Sequence, residues 1–253
     1  MIKPMDSCDD EQHRGISIKS LEDKLPEPAF VRENVLTPRG IHLQKTFFRI
    51  GDETRFCILY ILSGRRVNVG NLAKQLGQSQ PAISHHLDMQ RKGGLISFER
   101  HGKNNDYALL SSGVDQLSIA GDVLQSFRSP EGDDAAGISH GRENPVPAPY
   151  DWELNSLTVE GQEAVAMYHA AGQKTILRIF FLLRNYELSV SSLCQALHES
   201  QPAVSHHLKK LRESKILAKR QQGKNNFYSF TEESREKFHR AGLYLQNLKP
   251  PAS

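Results

Sequence analysis

Ser79-Gln-Pro-Ala-Ile-Ser-His-His-Leu87 decides the fold, because the chain writes it twice: Ser200-Gln-Pro-Ala-Val-Ser-His-His-Leu208 differs only at Val204 for Ile83. The offset from Ser79 to Ser200 is 121 positions, and it holds without a gap well beyond the motif. Gly102-Lys-Asn-Asn105 returns as Gly223-Lys-Asn-Asn226, and Asn34, Leu36, Thr37 and Gly40 return as Asn155, Leu157, Thr158 and Gly161. A period this long is a duplicated domain rather than a solenoid repeat. In 253 residues it leaves room for two domains of roughly 100 residues each.

Residues 1–33 are polar and read as a disordered lead-in. The first copy spans 34–127, residues 128–151 have the Pro, Gly and acidic content of a linker, and the second copy spans 152–253. Each copy gives the same reading. A helix capped by Thr37 or Thr158 comes first. A second helix follows at Asp52–Leu62, and a short third helix carries Val69, Leu72 and Leu76, or Val190, Leu193 and Leu197. The repeated motif then starts a fourth helix, with Ser79 or Gln80 at the cap and Pro81 in the first turn, where a missing N–H costs nothing. Two strands around Gly-Lys-Asn-Asn form a β-hairpin. The result is a mainly α fold with small β-hairpins, two winged helix-turn-helix domains in one chain. Leu117, Ala120, Leu124 and Phe127, matched by Phe238, Ala241, Leu245 and Leu248, form a narrow stripe of the kind that seams one helix to another. Through it the copies are expected to pair as an intramolecular pseudo-dimer, with a homodimer of chains as a further state. The linker, reaching up to about 80 Å when extended, permits that pairing.

The outward face of the motif helix carries Gln80, Ser84 and His85 in copy one, and Gln201, Ser205, His206 and Lys209 in copy two. These groups donate and accept hydrogen bonds, and Gln can contact adenine with both ends of its amide. In a helix-turn-helix the second helix enters the major groove by its N-terminal residues. The wing adds Arg100 and Lys103, and in copy two Lys219, Arg220 and Lys224, for phosphate or minor groove. These twelve are the candidate contacts to double-stranded DNA. A net charge of +3 is compatible with that partner without arguing for it.

The motif resembles the ArsR/SmtB family of bacterial transcriptional regulators, together with Gly51-Asp-Glu-Thr-Arg-Phe-Cys-Ile-Leu59 upstream and the Gly-Lys-Asn-Asn hairpin with its following tyrosine, Tyr107 or Tyr228, downstream. The resemblance covers both copies. It implies a winged-helix repressor, homodimeric through its end helices, released from operator DNA by an effector that is often a metal. Three departures stand out: the duplication, the missing metal motifs and the divergence of the copies. Where such sensors place Cys-x-Cys, this chain has Leu72-Ala-Lys-Gln-Leu76 and Leu193-Cys-Gln-Ala-Leu197, and its end helices lack a convergent ligand set, so no metal and no cofactor are expected. Asp88 stands for Lys209, Gln90 for Leu211 and Gly93-Gly94 for Ser214-Lys215, which makes copy two the stronger expected reader of DNA.

Adjacent helical residues point about 100° apart, so His85–His86 and His206–His207 do not converge on one ion. His86 and His207 are expected to be structural, hydrogen-bonded within the domain. Cys57 is expected in the core and Cys194 buried, and Phe47, Phe48, Phe180 and Phe181 are expected in the core or in dimer-seam packing. Three scattered cysteines fit a reducing cytoplasm, and no apolar run reaches the ~18 residues of a membrane span. The competing reading is a protein-interaction module in which one or both winged helices have lost DNA. An enzyme finds no support, because no phosphate-cradling glycine loop, carboxylate pair or nucleophile motif is present.

Overall fold

The computed structural model describes residues 31–32, 35–128 and 146–251. The expected disorder of the lead-in and of most of the linker lies outside the described residues. In the first copy a two-strand hairpin, β1 (Val31–Arg32) and β2 (Val35–Leu36), precedes α1 (Pro38–Ile50), α2 (Glu53–Leu62), β3 (Val67–Asn68), α3 (Val69–Gln75), α4 (Gln80–Lys92), β4 (Ile96–His101), β5 (Asn104–Leu109) and α5 (Ser111–Gln125). The second copy repeats the order: β6 (Tyr150–Asp151), β7 (Ser156–Leu157), α6 (Val159–Ala171), α7 (Lys174–Leu183), β8 (Leu188–Ser189), α8 (Val190–Leu197), α9 (Gln201–Glu213), β9 (Leu217–Gln222), β10 (Asn225–Phe230) and α10 (Glu232–Gln246).

Local chemistry sets the helix starts. Thr37 and Thr158 accept the N–H of Gly40 and Gly161, each at 3.1 Å. Asp52 accepts from the N–H of Arg55 at 3.0 Å and Ser79 from that of Ala82 at 3.3 Å. Each satisfies a donor that the helix start leaves orphaned. The wing hairpins turn on Gly102 and Gly223, at φ +62° and +58°, a left-handed conformation that costs glycine nothing.

The structure corrects the sequence reading in four places. Each wing is a three-stranded sheet, because β3 pairs with β5 and β8 with β10. These strands are two residues long, too short for alternation to show. The second copy begins inside the presumed linker: Tyr150 is buried and β6 pairs Tyr150 with Leu157, as β1 pairs Val31 with Leu36 inside the presumed lead-in. Phe48 is 55% exposed while Phe47, Phe180 and Phe181 are buried; at position 48 the backbone, not the ring, makes the close contact described below. Cys194 is half-buried rather than buried, on the flank of α8 beside buried Leu193 and Leu197.

The two copies pack on each other through equivalent residues. Helices α5 and α10 cross at Gly121 and Gly242, themselves 121 positions apart; a Cβ on Gly121 would lie 2.7 Å from the carbonyl oxygen of Gly242, and one on Gly242 would lie 2.6 Å from that of Gly121. Beside them Gln125 donates to Gln246, its counterpart. Helices α1 and α6 meet the same way: a Cβ on Gly51 would lie 2.6 Å from Cα of His169, and one on Gly172 would lie 2.8 Å from Cα of Phe48. Contacts in which residue i meets j′ and j meets i′ are the signature of a twofold interface. The leading hairpins cross over as well. β7 packs on α2 and β2 on α7, and Tyr150 stacks 5.8 Å from Tyr60 of the other copy. One continuous apolar core therefore runs through both halves.

Candidate nucleic-acid interface

Helix α4 buries Ile83, Leu87 and Gln90, and α9 buries Val204, Leu208 and Leu211. This inward stripe leaves Gln80, Ser84 and His85, and Gln201, Ser205, His206 and Lys209, exposed on the opposite face. Arg100, Lys103, Lys219, Arg220 and Lys224 are exposed on the wings. The fold thus brings the first copy's five candidates onto one reading helix and its adjoining wing, and does the same for the second copy's seven. Gln90 is fully buried because its amide donates to the carbonyl of Arg55 at 2.7 Å, tying α4 to α2 where the second copy uses Leu211.

The wings hold an ion pair that the sequence reading missed. Arg66 meets Glu99 at 2.7 Å in the first copy. At the same two positions in the second, Glu187 meets Arg220 at 2.5 Å, and Arg220 also lies over the Phe227 ring at 5.4 Å. The bridge keeps its place with its polarity reversed. Arg220 is therefore a paired residue, bonded to Glu187 and lying over Phe227, although its side chain stays 55% exposed. The partners lie 33 residues apart, so no local spacing rule marks them.

Charge separates the two heads further. Positions 201–227 carry seven Lys and Arg against the single acid Glu213, whereas 80–106 carry four against Asp88, Glu99 and Asp106. Asp88 is clamped by Lys92 at 2.6 Å and Arg91 at 2.8 Å, and these hydrogen bonds, Lys92 first, draw its carboxyl below the usual range. The acid thus neutralises the cations of its own helix as much as it repels phosphate.

The inner histidines differ from expectation. His86 and His207 are half-buried, and the Nδ1 of each is buried without a hydrogen-bond partner among the described residues. Asp52 Oδ1 stands 3.8 Å from His86 Nδ1, beyond hydrogen-bond range. Burial lowers the pKa of both rings, against the pull of Asp52 on His86 and of Glu199 on His207. Both are therefore neutral near pH 7. The Cys57 thiol is pushed up to about 12 by burial and then by Glu53 and Asp52, and burial also raises Cys194. Neither is poised to react. Among the described residues no three His, Cys, Asp or Glu side chains come together as a metal site, and no helix is long and apolar enough to cross a membrane.

Comparison with known proteins gives the same two segments. Residues 52–97 and 173–219 each match the family described as bacterial regulatory protein, arsR family. The HTH-type transcriptional regulator KmtR of Mycobacterium tuberculosis is 35% identical over 75 residues, 30% of this chain and 58% of that protein. The transcriptional repressor SdpR of Bacillus subtilis is 36% identical over 67 residues, 26% of this chain and 74% of its own length. The arsenical resistance operon repressor of Escherichia coli is 44% identical over 61 residues, 24% of this chain and 52% of that protein. In each case the similarity covers about one of this chain's two helix-turn-helix copies.

Proposed function

Because the chain belongs to the arsR family of bacterial regulatory proteins, we propose that it is a sequence-specific, double-stranded-DNA-binding transcriptional regulator, a repressor whose two reading heads are carried by one chain. The supporting observation is the pairing of two exposed faces, Gln80–Ser84–His85 and Gln201–Ser205–His206, across a seam of equivalent residues. In this reading the seam does for one chain what a dimer interface does for two, and the chain acts as its own dimer on DNA in the cytoplasm. Identical reading triads call for the same bases in both half-sites. Twofold packing turns those half-sites into an inverted repeat, about 34 Å from centre to centre. Arg100, Lys103, Lys219 and Lys224 flank the triads on phosphate, and Lys209 does so from the reading helix. Arg220, exposed but paired with Glu187, must share its charge between that carboxylate and phosphate. The second head, with seven cations against one acid, is the anchor, and the first adds bases more than charge.

Duplex selected from a random pool by the full chain, followed by titration across salt, tests this. Binding should fall with salt by about 0.9 log unit per log unit for each phosphate contacted. Gln201→Ala with Ser205→Ala should weaken the selected duplex by roughly 1–3 kcal/mol per lost base contact and leave random duplex nearly unchanged. A flat salt response, or equal loss on both duplexes, refutes the proposal. The near-balanced charge of 80–106 favours a second reading for the first head alone, as an interaction surface that has left DNA. Under that reading Gln80→Ala with Ser84→Ala would leave operator affinity intact.

A further inference from the structure

We infer that a cleft on the second copy's side of the seam is a binding site for a small organic cation with an apolar stem, an alkylguanidinium or alkylammonium. The cleft has a volume of about 700 Å³, within the range of small-molecule sites. It opens between α6, the C-terminal half of α9 and the first copy's Gly51–Glu53, with Lys237 at its edge.

The first copy shows what this space is shaped to hold. At the positions of Ala170 and Ile176, which line the cleft, the first copy carries Arg49 and Arg55. Both turn inward. The Arg55 side chain is only 11% exposed; it donates to the carbonyls of Arg49 and Phe48, the latter at 2.8 Å, and lies 5.8 Å from the Phe48 ring centre. Arg49 lies so close to Gly93 that any Cβ there would collide with its guanidinium. The second copy has Ser214 at that position, facing the small Ala170. Large side chain with glycine in one copy, small side chain with serine in the other: the exchange is matched, and it leaves open in the second copy the space that two guanidinium stems fill in the first.

The lining suits such an occupant. Val165, Met167, Ile176, Leu211 and Ile216 give an apolar floor; of the lining carboxylates, Asp52 stands 3.9 Å from Arg55, Glu163 3.1 Å from Arg240 and Glu213 3.9 Å from Lys209, whereas Glu53 makes no ion pair among the described residues. Lys237 is already held by Glu233 at 2.6 Å and Glu163 at 3.1 Å. Glu53 offers an incoming cation a carboxylate beside walls of low dielectric, where the attraction is least screened, and the floor covers the stem. An occupant would touch the reading helix α9 and the inter-copy joint together, where His169 Nδ1 meets the Gly51 carbonyl at 3.2 Å. Occupancy should therefore shift operator affinity. That consequence rests on the DNA-binding reading above; the binding itself does not.

Calorimetric titration of the full chain with butylguanidinium chloride, and with pentanoate as an anion of similar size, decides the matter. Saturable one-site binding of butylguanidinium, at least tenfold tighter than pentanoate, is expected. It should be lost in the double variant Ala170→Arg/Ser214→Gly, which installs the counterpart of Arg49 together with its matching glycine. Should that variant not fold by circular dichroism, Glu53→Gln with Glu213→Gln serves instead and should weaken the cation several-fold. Equal affinity for the two probes, no saturable binding of either, or binding unaffected in a folded variant overturns the site. An operator affinity that butylguanidinium leaves unmoved overturns the coupling alone. A chain that binds the cation but no duplex leaves the site standing and removes the DNA reading.

Discussion

Gly121→Ala and Gly242→Ala test the seam through the sign of their effect. Alanine in the middle of a helix is normally about 1 kcal/mol better than glycine. At Gly121 the added carbon would sit 2.7 Å from the Gly242 carbonyl oxygen and 3.0 Å from Gln246 Cγ. To restore ordinary contact, α5 and α10 must part by roughly 0.7 Å, and a gap of that order forfeits a quarter to a half of each dispersion contact. The contacts at stake are those of Leu117, Ala120, Leu124, Phe238, Ala241 and Leu245, all buried. Overpacking of this kind costs about 1–3 kcal/mol. The propensity gain is thus cancelled or reversed, for a net change between about zero and 2 kcal/mol of destabilisation. At Gly242 the new carbon would meet backbone at 2.6 Å and Gln125 Cγ at 2.6 Å, so the same result is expected.

Urea unfolding of the full chain measures this, with Gly64→Ala as control, since nothing lies within 4 Å of a Cβ there. The control should be neutral or gain up to about 1 kcal/mol by restricting the unfolded chain. In the double variant the two new methyl groups share one crossing, so their effects should depart from additivity by about 0.5–3 kcal/mol. A gain of about 1 kcal/mol at both Gly121 and Gly242, with additive effects, would mean that the helices are not in contact and would remove the paired-head argument with them.

Three further outcomes follow from single contacts. Gln90→Ala should cost roughly 2–3 kcal/mol in urea midpoint experiments, since it removes a buried amide bonded to the Arg55 carbonyl and leaves a void; Gln90→Leu, the second copy's choice, should cost less than about 1.5 kcal/mol. Tyr168 OH donates to the Ala241 carbonyl at 2.8 Å in a fully buried setting, linking α6 to α10, so Tyr168→Phe should cost about 1 kcal/mol, and no loss would mean that the bond contributes nothing. His86 and His207 have folded pKa values below the ordinary 6.5, so the unfolded chain takes up their protons first: their contribution is constant above about pH 7 and stability declines as pH falls through 6.5 toward the folded values. His86→Gln with His207→Gln should flatten the urea midpoint between pH 5 and 7, and an unchanged slope would assign the pH dependence to other groups.

The parts of this molecule that were legible are those written in local chemistry. A hydroxyl or carboxylate three residues before a backbone donor marks a cap, and a glycine at positive φ marks a wing turn. An apolar stripe at helical spacing marks Leu117, Leu124, Phe238 and Leu245 as buried. What was not legible depends on partners distant in the chain. Glu187 and Arg220 meet only after the wing folds onto the third strand. Tyr150 follows a proline-rich stretch and is buried because it crosses to Tyr60 of the other copy. Phe48 reads as core beside Phe47, yet Gly172 brings a backbone so close to its Cα that the ring is left outside. Gln90 looks like a polar face residue until Arg55 supplies the acceptor that lets it be buried.

Duplication within one chain frees each position from its twin, and the pairs that changed show which constraints remained. The contact between positions 42 and 116 is a His–Gln hydrogen bond at 3.1 Å in the first copy, and its counterpart is the Glu163–Lys237 ion pair at 3.1 Å. Thr54 accepts from Gln78 at 2.7 Å where Thr175 donates to Glu199 at 2.9 Å. Arg66–Glu99 becomes Glu187–Arg220. In each case the meeting point survives and the chemistry across it does not, as expected where packing geometry is constrained and charge is not. The reading triads behave in the opposite way: Gln, Ser and His are the same residues in both copies, although all are exposed and touch little of the protein. Folding alone would let exposed side chains drift at least as freely as these partly exposed pairs. Under the proposed function that identity is expected, since one partner would meet both faces with the same chemistry, while the surrounding charges, seven against one acid in one head and four against three in the other, would let the two faces grip it unequally.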